Sequence, residues 1–151
     1  MTLRRALASS LAAIGLTGAA LLVPTATAHA APQDCEGGRN GFIDISDNAT
    51  GTPIRTIDMG SGVNITLQYG KISGSQRGWA KISGRTFSGD RVWMDWTTNG
   101  GSSWLQCGPF TVGTTGTSKT SAAQTTGTSS SYKFRACGNL NGGPVRCTTW
   151  W

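Results

Sequence analysis

From Val63 to Tyr69 apolar and polar residues alternate without a break: Val63, Ile65, Leu67 and Tyr69 on one side, Asn64, Thr66 and Gln68 on the other. A period of two is that of a strand with one buried face. The same period, or a short β-branched and aromatic run, recurs at Ile54–Met59, Gly78–Ser83, Arg91–Thr97, Ser131–Cys137 and Val145–Trp151. Gly41–Ser46 and Ser103–Gln106, running on to Val112, complete the expected strands. Clusters of Gly, Asn and Asp separate them, and Asn40-Gly41, Asn99-Gly100 and Asn141-Gly142 are turn dipeptides. No helical period is found after residue 30. Strands at this spacing predict an all-β, two-sheet sandwich of about seven or eight strands. Residues 113–130 (GTTGTSKTSAAQTTGTSS) read either as a flexible loop or as an edge strand over Lys119–Thr125 between two loops. The threonines, and the rarity of structureless loops this long, favour the strand.

Composition narrows the picture. Met1–Ala30 has a short basic start (Arg4, Arg5), an apolar Ala/Leu-rich run to Val23, Pro24, and small residues at Ala28 and Ala30. This is the pattern of a secretory signal, with cleavage expected before Ala31 and one domain over 31–151. The sole histidine, His29, lies inside that signal. The remainder therefore lacks the base of a Ser-His-Asp triad or Cys-His dyad and any histidine ligand for zinc. Eleven basic residues against seven acids leave it with a charge of +4.

Four cysteines in an exported small domain predict two disulfides. Three pairings are open. Cys137–Cys147 is favoured because the intervening GNLNGGPVR reads as a hairpin connection, and Cys35–Cys107 follows by elimination. The spacings of 72, 30 and 10 residues contain no C-x-x-C, so neither a metal nor a cofactor is expected.

Two local resemblances add to this. Thr97-Thr98-Asn99-Gly100-Gly101-Ser102-Ser103-Trp104 resembles the Asp-box hairpin, with Asn99 in place of the aspartate and Ser103 in place of the second threonine. The resemblance implies a β-hairpin whose polar side chains bond the turn, with Trp104 packed beneath it. The run Tyr132-Lys133-Phe134-Arg135-Ala136-Cys137, then Gly138-Asn139, is similar to the sixth strand of fibronectin type III and immunoglobulin-like sandwiches. That implies a tyrosine corner at Tyr132. Val92–Trp96 would be the third strand, Ser103–Gln106 the next, and Val145–Trp151 the last. As a whole the chain resembles small, four-cysteine, secreted actinobacterial proteins.

Among residues that could carry chemistry, Asp90 and Asp95 are five apart on one strand and should face opposite sides. Asp44, Asp47 and Asn48 lack calcium-loop spacing and read as a solvated turn. None of Lys71, Lys81, Lys119 and Lys133 is marked as buried, as a Ser-Lys catalyst would require. Lys81, Arg85 and Arg91 flank one loop and suggest a patch for an anionic polymer. No basic run or RNA-binding signature is present, so nucleic acid is not an expected partner.

Tryptophan is the informative residue: six stand after residue 30. Trp93 and Trp96 must point to opposite faces of a strand, and Trp150 and Trp151 must diverge. Exposed indoles stack on sugar rings and anchor interfaces. The sequence thus predicts a secreted, monomeric, non-catalytic binding module, its ligand a cell-wall or extracellular polysaccharide bound by Trp93, Trp96, Trp150 and Trp151. The alternative is an inhibitor or partner of a secreted hydrolase that presents the loop 138–146.

Overall fold

A computed structural model of the chain describes residues 31–151. The expected export signal, 1–30, lies outside the described residues. Nine strands are found among them: β1 (Thr52–Gly60), β2 (Val63–Ile72), β3 (Ser75–Gly84), β4 (Arg91–Thr97), β5 (Leu105–Thr111), β6 (Lys119–Thr120), β7 (Gln124–Thr125), β8 (Lys133–Asn139) and β9 (Arg146–Cys147). They form two antiparallel sheets, β1-β2-β3 with β6 and β7 both on the far edge of β3, and β5-β4-β8-β9. The fold is the all-β sandwich expected. Its second sheet places the expected third strand, β4, between the next one, β5, and the sixth, β8, with the last, β9, at the edge, an order compatible with the immunoglobulin-like resemblance. The first sheet departs from that plan, because β3 returns beside β2 instead of crossing to the opposite sheet. The cause is local. Ser73 and Gly74, at φ 50° and 82°, make a two-residue turn that sets Ile72 opposite Ser75. Positive φ at both turn residues matches strand twist and forces a tight hairpin.

Three expected elements are shorter than the sequence suggests. Gly41–Ser46 contributes only one bridge, Ile43 to Ala123. Its aspartate and the one just after it bond backbone elsewhere: Asp44 accepts from the Gly37 amide and Asp47 from that of Thr120, so the segment leaves the ladder. The stretch 113–130 is neither one loop nor one strand but the pair β6 and β7. Between them the Ser121 amide still donates to Ala80. At the end of the chain the ladder on β8 continues past β9 through Thr148 and Trp151, with one extra residue taken up where the Thr148 hydroxyl accepts the Ala136 amide. The region after residue 30 is also not wholly free of helix. Pro32–Asp34 forms one 3-10 turn, and Glu36–Gly41 is a run of tight turns with Gly37, Gly38 and Asn40 at positive φ.

The core lies between the sheets. Val63, Ile65, Leu67 and Ile82 from the first meet Val92, Met94, Phe134 and Ala136 from the second, closed by Phe42, Phe110 and Val112. Gly138 is required where β8 lies against Ile65 of the other sheet, since a Cβ there would collide with the Ile65 side chain and with the Arg91 carbonyl of the neighbouring strand. Both favoured disulfides are present. Cys35–Cys107 is buried in the core and fastens the N-terminal turns to β5, and Cys137–Cys147 joins β8 to β9 across a register pair. No helix among the described residues is long and apolar enough to cross a membrane.

Candidate functional site

The strand directions set the layout. Phe134 lies over Gly78 and Gly138 over Ile65, so the start of β8 shares one end of the sandwich with Tyr69 and with the 97–104 hairpin. The loops 85–90 and 140–145 occupy the opposite end.

The 97–104 hairpin is tied as the Asp-box resemblance implies. The Thr97 hydroxyl donates to the Ser103 carbonyl at 2.6 Å and accepts from the amides of Asn99 and Gly101. Asn99 Oδ1 accepts the Ser103 amide, and its Nδ2 donates to the Ser103 hydroxyl. Trp104 differs from the expectation. It is 49% exposed, and it is Trp150 that packs against the hairpin, with its ring beside Gly101. The two indoles meet edge to face at 6.1 Å.

Between them lies Arg135. Phe134 and Ala136 face the core, so Lys133, Arg135 and Cys137 project from the outer face of the second sheet. The Arg135 guanidinium sits 4.8 Å from the centre of the Trp104 ring and 4.5 Å from that of Trp150. It is fixed from below by Asp95, its register partner on β4, whose Oδ2 accepts from Nε and Nη2 at 2.7 Å each. Asp95 is 1% exposed, and its Oδ1 has no hydrogen-bond partner among the described residues. Burial raises the Asp95 pKa, and the hydrogen bond and charge of Arg135 pull it back only in part.

The remaining predicted tryptophans separate. Trp151 turns the other way from Trp150, onto Tyr69 and Phe134, and is 37% exposed. Trp96 is half-buried between Phe42 and Tyr132. Trp93 does not join them. It points to the outer face but is only 8% exposed, at the bulge where Gly108 and Pro109 oppose it on β5. A ligand has no ring face to reach there. Tyr132 makes no corner: its hydroxyl finds no hydrogen-bond partner among the described residues, and its ring covers Trp96 and is 39% exposed. One end of the sandwich thus gathers Trp96, Trp104, Tyr132, Trp150 and Trp151.

The other candidates resolve as structure. Asp47 is taken by the Thr120 amide and by Lys119 Nζ at 3.0 Å, which leaves no calcium-loop geometry with Asp44 and Asn48. Asp90 is buried and clamps two loops, accepting the amides of Phe87 and Asn141. Lys81 overturns two expectations. It is 7% exposed, donates to the Ala49 carbonyl at 2.7 Å, and so forms no surface patch with Arg85 and Arg91. Burial lowers its pKa, against a smaller opposite effect of Asp47. The neighbouring serine, Ser121, donates to the Ala122 carbonyl and accepts the Ala80 amide, so it is not aimed at the amine. Asp95, Cys137 and Cys147 cluster closely, but both sulfurs are engaged in the disulfide. Two open clefts flank Asp47 and Lys119, and neither is lined by a tryptophan.

The signal that could have found Asp95 and Arg135 is their placement: a carboxylate and a guanidinium on the outward phase of adjacent strands, each flanked by core residues. Comparison with protein-family models, with curated proteins and with solved structures finds no match to this chain.

Proposed function

We propose that the protein is a secreted, monomeric, non-catalytic module that binds cell-wall or extracellular polysaccharide through the aromatic end of its sandwich. The observation that carries this reading is the gathering of three exposed rings, Trp104, Tyr132 and Trp151, with Trp150 at one end of a disulfide-stapled scaffold. Indole faces held on strands and on a bonded hairpin are ordered before a ligand arrives, which lowers the ordering cost of binding. Retention on chitin, cellulose and peptidoglycan, at low and high salt, tests the reading. Retention that survives salt, blue-shifts tryptophan emission and is lost in Trp104→Ala supports it. Unchanged retention in Trp104→Ala together with Trp151→Ala contradicts it.

A second reading is favoured by the opposite end. There Asp90 fixes Asn141, the Asn139 side chain donates to the Gly143 carbonyl, and the disulfide closes the loop, while Val145 and Phe87 are exposed. A rigid loop of this kind suits insertion into the cleft of a secreted hydrolase. Inhibition of a secreted protease, relieved by Val145→Asp and not by Trp104→Ala, would identify it.

A further inference from the structure

We infer that the polysaccharide bound at the aromatic end is a polyuronate, a chain in which each sugar ring carries its own carboxylate. The inference rests on the proposed glycan-binding role and names its ligand class.

The Arg135 guanidinium lies within 5 Å of two indole centres, one of them the half-exposed Trp104. Asp95 occupies Nε and Nη2, and Nη1 has no acceptor among the described residues. The Arg135 side chain is 23% exposed, so a donor edge stays open to solvent between the indoles. Lys133 projects from the same outer face one pleat period away, about 7 Å along β8. It forms no ion pair among the described residues. Arg55 stands close by on β1, its Nε on the hydroxyl of Thr149, the residue before Trp150. The acidic side chain in this cluster is Asp95, and it is buried beneath the guanidinium. The surface therefore offers aromatic faces and cationic donors, with no acidic side chain turned outward among them.

A neutral glycan would use the faces and offer the donors only hydroxyl oxygens. A polymer charged at its phosphodiester links carries the anion away from the ring face. A uronate combines an apolar ring face with a carboxylate at the ring edge, which suits a half-exposed indole whose centre lies 4.8 Å from the Arg135 guanidinium. Charge-assisted hydrogen bonds from such donors to a carboxylate are stronger than those to a hydroxyl.

The test compares immobilised polygalacturonate with the same polymer fully methyl-esterified, using the oxidised protein. Cellulose and chitin serve as neutral polymers. The expected result is retention on polygalacturonate weakened at least fivefold by esterification. Lys133→Gln should weaken it about fivefold, the upper range of one exposed ion pair. Trp104→Ala should weaken it further. Arg85→Gln, the same loss of charge at the opposite end, should change nothing. An equal loss in Arg85→Gln means attraction to net charge alone and overturns the inference. Equal retention on both galacturonate polymers, or retention on cellulose or chitin only, also overturns it while the glycan-binding reading stands. Retention on none of the four polymers overturns the inference, and with no retention on peptidoglycan either it overturns both.

Discussion

Replacing Asp95 by Asn isolates the contact on which the aromatic end is built. Removing one partner of a fully buried ion pair costs about 3–5 kcal/mol, because the other charge is stranded. Two features of the site lower that figure. Arg135 is partly open to water, at 23% of its side chain. The raised Asp95 pKa means that burial outweighs the attraction of Arg135, so the ionised carboxylate is held at a net cost. Asn keeps the size and one acceptor oxygen. We expect a loss of about 1–2 kcal/mol, or a urea midpoint lower by about 1 M for a slope near 1.5 kcal/mol per M. The pH dependence follows from the same shift. The native state holds the Asp95 proton more tightly than the unfolded chain. Its contribution to stability is therefore greatest at low pH and is lost as pH rises from 3.8 through the raised native value. Urea titrations across that window should show the slope in the parent protein and not in Asp95→Asn. Tryptophan emission should also change in the variant, since the guanidinium is no longer fixed between Trp104 and Trp150. An unchanged midpoint with unchanged emission would refute the claim that Asp95 positions Arg135.

Other outcomes follow from the same structure. Opening Cys35–Cys107 as paired serines should cost about 4 kcal/mol and opening Cys137–Cys147 about 3, from loop lengths of 72 and 10 residues; calorimetry on the two variants gives the order. For Lys81 the sign is opposite to that of Asp95. With the native pKa lowered, stability should rise as pH climbs from that value to 10.5, and Lys81→Met should abolish the rise in alkaline denaturant titrations. Gly138→Ala should cost about 2 kcal/mol or more, because its Cβ meets backbone. Gly78→Ala, with 3.6 Å to Phe134, should cost under about 1 kcal/mol. Equal thermal shifts in the two glycine variants would contradict the close approach of the sheets at Gly138.

The strands were legible where one face is buried. Val63–Tyr69 and Arg91–Thr97 emerge within three residues of their expected bounds because alternation reports the core directly. Elements held by side chains were not legible. Gly41–Ser46 has the composition of a strand, yet Asp44 within it and Asp47 just after it bond the backbone of other segments. The Ser73-Gly74 turn carries a weaker signal than Asn-Gly, and it decides the path of the first sheet. The second sheet was readable through the Tyr132–Asn139 run, whose resemblance to immunoglobulin-like sandwiches suggests its neighbours. For the site, alternation placed Trp93 and Trp96 on opposite faces but could not say which face is covered. The bulge at Gly108-Pro109 buries Trp93. The extra residue before Trp151 leaves Trp150 on the outer face with Trp104. Lys81 was unreadable for the same reason, since its cover, the segment carrying Ala49, is distant in sequence.

The central claim is that the ligand meets the aromatic end and no other surface. The six indole N–H resonances of the protein report on it directly when followed during titration with soluble oligogalacturonate. Shifts are expected at Trp104, Trp150 and Trp151, with Trp79, buried against Gly51 and Gly70, and Trp93, buried at the Gly108-Pro109 bulge, unmoved. Shifts confined to Trp79 or Trp93, or backbone shifts confined to 138–146, would contradict it.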